Sequence, residues 1–166
     1  MPNLNNPQFD EEREPKGFQA SRARLGRQAG AKRLGLSLWE LPPGQAAYPY
    51  HYHLIDEELI VALTDGLRFR GPEGTRTLAA GEVVACVVGK AGAHQIWNEG
   101  PERGRFLAVS SGPSEGDDIV MYPDSNKLGA FAEGLYELYE RDSAVDYWDG
   151  EEPPMAAGSS STFEPS

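Results

Sequence analysis

Three histidines occur in this chain, and two of them, His51 and His53, are separated by a single residue. In an extended strand alternate side chains share a face, so these imidazoles project to the same side about 7 Å apart along the backbone. Two imidazoles so placed can share one metal ion. Carboxylates follow at Glu57 and Glu58, beyond a bend at Leu54-Ile55-Asp56, and the third histidine, His94, lies on a distant segment. Together they would make a mixed nitrogen and oxygen donor set of the kind first-row transition metals accept. Parity does not choose between the glutamates. Glu57 shares a face with Leu59, Val61 and Leu63, and Glu58 shares one with Ile60 and Ala62, so both faces are apolar. A bare His-x-His pair also recurs by chance on surface strands, so its weight depends on context.

The segments that would carry these residues read as strands. From Gly17 to about Tyr122, short apolar or alternating runs are separated by glycine and proline. The strand candidates are 18–25, 32–41, 48–53, 58–63, 67–70, 75–78, 82–88, 94–98 and 106–111. Turn signals fall between them at Pro42-Pro43-Gly44, Asp65-Gly66, Gly71-Pro72-Glu73-Gly74, Ala80-Gly81 and Asn98-Glu99-Gly100-Pro101. No stretch there carries a sustained helical period. The expected organisation is an N-terminal arm over 1–16, an all-β barrel over 17–124, a segment over 125–150 packed on the barrel, and a disordered tail over 151–166. Residues 135–139 fit a strand or one helical turn, and Leu138, Val145, Tyr147 and Trp148 are expected to be buried.

Composition narrows the partners. Of 166 residues, 26 are Asp or Glu and 15 are Lys or Arg, for a formal net charge of -11. Such a field repels polyanions, which argues against nucleic acid or an anionic membrane and for a small-molecule partner. With one cysteine, Cys86, neither an intramolecular disulfide nor a multi-cysteine zinc site can form, so Cys86 reads as a buried filler and the compartment as reducing. No basic segment followed by an apolar run opens the chain, and no run of 18 apolar residues occurs. The expected location is cytoplasmic. Arg68 and Arg70 share a strand face and could meet a substrate carboxylate or simply be solvated, and Lys90 is similarly ambiguous.

Taken in order, these motifs resemble those of the cupin superfamily. The first cupin motif runs glycine, His-x-His, glutamate, glycine; here Gly44 precedes His51-Tyr52-His53, with Glu58 after residues 54–57. The second runs glycine, Pro-x-Gly, histidine, asparagine; here Gly81, Val87-Val88-Gly89, His94 and Asn98 occupy those places. The resemblance covers about residues 32–111. Gly44 stands one residue early, Val87 replaces the proline, His94 comes two residues late, and Asp65-Gly66 replaces the closing glycine. All four departures fall in loops or turns.

The resemblance implies an antiparallel double-stranded β-helix, or jelly-roll barrel, with a metal in its open mouth. It implies His51, His53, Glu58 and His94 as ligands, the family spacing favouring Glu58 over Glu57. One divalent transition metal per chain, iron, manganese, zinc, nickel or cobalt, is expected. A substrate pocket would be lined by Ile60, Ala62, Ile96 and Asn98, and a homodimer would form through the strands of 18–41. The function implied is a metal-dependent enzyme acting on a small oxygenated molecule as a dioxygenase, isomerase or lyase. The alternative is a metal-containing binding or sensor module without catalysis. With all three histidines committed and the only thiol in an apolar strand, the metal is the one strong electrophile available.

Overall fold

A computed structural model describes residues 1–112 and 117–152 of the chain. Thirteen strands are present among the described residues: β1 (Glu11–Arg13), β2 (Ala20–Ala23), β3 (Gly35–Leu41), β4 (Tyr52–His53), β5 (Glu58–Ala62), β6 (Leu67–Gly71), β7 (Gly74–Leu78), β8 (Val83–Cys86), β9 (Gln95–Asn98), β10 (Gly104–Ser110), β11 (Asp118–Tyr122), β12 (Lys127–Ala132) and β13 (Leu135–Glu140). One wall is a six-stranded sheet in the order β1-β2-β3-β10-β5-β8. The other is built from a four-stranded sheet, β13-β12-β11-β4, and a three-stranded sheet, β7-β6-β9. The last two are joined where His51 and His94 exchange backbone hydrogen bonds of 3.1 and 2.8 Å. Every strand pairing is antiparallel.

Alternation decides which side chains face inward. In β5, Ile60 and Ala62 are fully buried while Leu59 is exposed, and in β10 Phe106 and Ala108 are buried between less buried neighbours. These residues meet Trp39, Leu41, Leu67, Leu78 and Ile96 in one apolar core. Phe106 stacks on Trp39 with ring centroids 6.1 Å apart. At the Asp65-Gly66 turn Gly66 has φ +84°, and a Cβ there would lie 2.8 Å from Gly100 Cα, so only glycine fits.

The chain departs from the sequence expectations in several places. The candidate at 18–25 ends early in a single helical turn, α1 (Leu25–Gln28), and β3 starts only at Gly35. Part of the expected N-terminal arm is a strand: Glu11 of β1 pairs with Arg22 of β2. It is held by charge rather than apolar burial. Glu11 pairs with Arg13 at 2.5 Å and with Arg24, and Asp10 pairs with Arg24 at 2.9 Å, so its low hydrophobicity gave no warning. Strand β11 lies within the expected barrel but outside the strand candidates, its apolar run Ile119-Val120-Met121-Tyr122 following the acidic pair Asp117-Asp118. Residues 135–139 lie in strand β13, not in a helical turn. Leu138, Val145, Tyr147 and Trp148, expected to be buried, are exposed. The tail expected over 151–166 lies outside the described residues from residue 153 onward. Strands β2 and β3, expected to pair across a dimer, already have neighbours on both sides in their own sheet. No helix among the described residues is long and apolar enough to cross a membrane.

Candidate metal centre

Four strand-borne residues converge at one end of the barrel. His51 sits just before β4, His53 ends β4, Glu58 opens β5, and His94 immediately precedes β9. One ligand atom from each lies within 4.8 Å of all the others. His51 Nε2 is 3.0 Å from His53 Nε2, and Glu58 Oε2 is 3.4 Å from His53 Nε2 and 3.1 Å from His94 Nε2. Glu58 points inward on the face of Ile60 and Ala62, whereas Glu57 is exposed and its backbone N–H donates to Ser111 Oγ at 3.0 Å.

The outer ring nitrogens select the tautomers. His51 Nδ1 faces Pro49 O at 2.9 Å, His94 Nδ1 faces Gly92 O at 2.9 Å, and His53 Nδ1 meets Asp118 Oδ2. Each acceptor favours a proton on Nδ1, which leaves three Nε2 lone pairs converging on one point. The fully buried His94 Nε2 lies near Glu58 without the alignment of a hydrogen bond, so it has no hydrogen-bond partner among the described residues. Three converging lone pairs, one carboxylate and an orphaned buried nitrogen fit a divalent transition metal.

Electrostatics describe the same demand for positive charge. Burial, and then the neighbouring His94 and His53 rings, hold the His51 imidazole well below its usual range. Burial also pulls His53 down, but hydrogen bonds to Asp118 and Glu58 outweigh it and push it up to about 10. Burial opposes charge on His94 too, yet Cys86 and Glu58 raise it to about 9. Glu58, although buried, is held well below the usual carboxylate range by the adjacent His53 and His94 imidazoles. The carboxylates of Glu58 and Asp118 thus make this buried group favour positive charge.

The group opens on a cavity of about 890 Å³, lined by His51, His53 and Glu58 together with Trp39, Tyr122 and Tyr136. His94 lies behind them, fully buried, with Phe69 stacked on its ring at 6.4 Å. Tyr48 packs edge-on to His51 and His94 at 4.8 and 5.5 Å, and its buried hydroxyl has no hydrogen-bond partner among the described residues.

The expected pocket residues are placed elsewhere. Ile60, Ala62, Ile96 and Asn98 are fully buried, and none lines the cavity. They sit deeper in the barrel, where the inward face of each strand fills the core and only the strand ends reach the mouth. Asn98 is structural: its amide donates to Leu41 O at 3.0 Å and Glu102 O at 2.7 Å, and its carbonyl accepts from Gly100 N at 2.9 Å. Arg70 forms a two-pronged pair with Asp124 at 2.6 and 3.0 Å, Arg68 donates to Thr77 Oγ1 at 3.2 Å, and neither lines the cavity. Sequence reasoning missed Asp118, which reaches His53 from β11. The apolar run Ile119-Val120-Met121-Tyr122 was a readable strand signal, but nothing local chose Asp118 over Asp117.

The fold is an antiparallel double-stranded β-helix of the kind found in cupin structures, with a candidate three-histidine, one-glutamate metal group at its mouth. Its backbone resembles a putative sugar phosphate isomerase from Acidithiobacillus ferrooxidans, with TM-score 0.76 and 22% identity over 86% of this chain and 91% of the other. It also resembles a sugar phosphate isomerase from a cupin superfamily of Silicibacter pomeroyi, with TM-score 0.75 and 20% identity over 90% and 98% of the two chains. The polyketide cyclase RemF of Streptomyces resistomycificus matches with TM-score 0.55 and 23% identity over 66% and 77%. No family model and no curated protein matches the sequence.

Proposed function

We propose that this protein is a metal-dependent enzyme acting on a small oxygenated molecule, with His51, His53, Glu58 and His94 as the ligands of one divalent transition metal. The observation that carries this reading is the convergence of four donors within 4.8 Å at the wall of a cavity large enough for a small metabolite. Bound there, a metal would supply a Lewis acid for a substrate oxygen or a site for dioxygen. The chain's own residues do the rest. Asp118 orients His53, the Pro49 and Gly92 carbonyls orient His51 and His94, and Phe69 and Tyr48 shield the rings from water.

Among reaction types we favour isomerisation of a phosphorylated sugar, because two neighbours with TM-scores of 0.76 and 0.75, matched over 86% and 90% of this chain, are described as sugar phosphate isomerases, the first as a putative one. The same reading places the protein in the cytoplasm as a homodimer. Its single, buried thiol suits a reducing compartment, and the exposed apolar residues Tyr136, Leu138 and Tyr139 of β13 offer a contact surface.

The test begins with elemental analysis of purified protein, which should find about one transition metal per chain. Aldose and ketose phosphates are then incubated in D2O, with dioxygen uptake followed in parallel. Deuterium should enter at the carbon beside the carbonyl, and chelation should stop it. Oxygen uptake without exchange would overturn the isomerase reading, and turnover that survives complete metal removal would overturn metal dependence.

A further inference from the structure

The cavity is far less acidic than the chain that encloses it. The protein carries a net charge of -11, yet Arg13, Arg22, Arg24 and Lys127 all line this one space, balancing the four carboxylates there. Of those carboxylates Glu58 and Asp118 are turned to the imidazoles, Glu11 is engaged by Arg13 and Arg24, and Asp56 accepts from Ser111 Oγ at 3.3 Å. A divalent ion on the histidine and glutamate group would leave the cavity positively charged.

Arg22 is built to present its charge. Its side chain is only 17% exposed, its Nε donates to Ser37 Oγ at 3.0 Å, and its guanidinium carbon lies 4.9 Å from the centre of the Trp39 ring. These contacts fix the plane of the fork. Its nearest carboxylate, on Glu11, is 3.6 Å from Nη1, too far for a hydrogen bond. Among the described residues neither terminal nitrogen makes one. Burial, and then the charge of Arg24, lower the Arg22 pKa and outweigh the opposing pull of Glu11 and Glu58. Arg13 lies against the same ring at 4.6 Å and is fixed by Ala47 O at 2.9 Å. Across the cavity, Lys127 of β12 has no ion pair among the described residues.

A guanidinium fork held edge-free in a partly dry cavity is a receptor for a planar or tetrahedral oxyanion. Strand β2 is three strand steps from β5, about 14 Å between backbones, and inward-reaching side chains shorten that gap to the length of one small molecule. We propose that Arg22, assisted by Arg13, binds a phosphate or carboxylate group of the substrate while the metal group engages oxygens at its other end. The proposal rests on the cavity being the substrate site and deepens that reading by stating the substrate's charge and the residues that read it.

The test titrates inorganic phosphate, and separately acetate, into the purified full chain as isolated and after chelation, followed by calorimetry. The wild type should bind one oxyanion per chain. Arg22→Met should weaken binding about tenfold to a hundredfold, as expected for loss of charge-assisted hydrogen bonds. Arg22→Lys should recover part of the loss, and Arg13→Met should weaken binding less. Arg103→Met, outside the cavity, should match the wild type. A preference for phosphate identifies a phosphorylated substrate, and a preference for acetate identifies a carboxylate; either supports the clamp. Equal binding by wild type and Arg22→Met, or binding that survives Arg22→Met but is lost in His53→Ala, overturns it. Metal content measured on the same samples separates failure of the clamp from failure of the metal-enzyme reading.

Discussion

Replacing Asp118 by asparagine should weaken metal binding while leaving the barrel folded. Asp118 is 7% exposed, and its two oxygens have different tasks. Oδ2 meets His53 Nδ1, and Oδ1 accepts the backbone N–H of Ile119 at 2.8 Å and of Ile55 at 3.3 Å. Asparagine can keep its carbonyl on the two backbone donors, so β11 and the bend after β4 retain their anchor. Its NH2 group then faces His53 Nδ1 and favours the tautomer with the proton on Nε2, the atom that must bind the ion. Loss of such an outer partner typically costs about 10- to 100-fold in metal affinity, or about 1.4–2.7 kcal/mol. Competition against a chelating indicator would read the dissociation constant, and urea unfolding of the metal-free proteins would read stability. An Asp118→Asn protein that binds metal as tightly as the wild type would refute the tautomer argument. An equal loss of stability and affinity would show that Asp118 acts on the fold instead.

Three other outcomes follow from the structure. Glu58→Gln should strip the metal and Glu57→Gln should leave it, since Glu58 alone points at the imidazoles; elemental analysis that finds the reverse would overturn the ligand set. Asn98→Ala should cost about 1–3 kcal/mol by orphaning the Leu41 and Glu102 carbonyls. It should leave metal content unchanged, which a pocket role would not require. Asp10 and Glu11 are both held below their usual carboxylate values: burial opposes this, but hydrogen bonds from Gln28 and Arg24 to Asp10, and from Arg13 to Glu11, outweigh it. Depressed folded values mean that their stabilisation is present above the unfolded values, 3.8 and 4.5, and is lost as pH falls below them. Protection factors of the β1 amides, corrected for the intrinsic exchange rate at each pH, should therefore fall on acidification, and less steeply in Glu11→Gln; identical acid slopes would count against the ion-pair anchor.

Local information determined a large part of this protein. The spacing of His51 and His53 put two imidazoles on one strand face, because side-chain direction in a strand repeats every two residues whatever surrounds it. Alternation in 58–63 and the Asp65-Gly66 turn were equally local, and they suffice for a strand and its hairpin. Tertiary structure alone decided the rest. Family spacing favoured Glu58 over Glu57, but which of two apolar faces turned inward is set by pairing of β5 with β10 and β8, not by β5 itself. Ile60, Ala62, Ile96 and Asn98 share a face or a strand with ligands, yet depth along the barrel axis made them core instead of cavity wall. Asp118 is 65 residues from His53, and Arg22 reaches the cavity only because β2 lies beside β3. Contacts between strands so distant in the chain leave no periodic trace, since each depends on register and sheet order, which emerge only when the whole barrel closes.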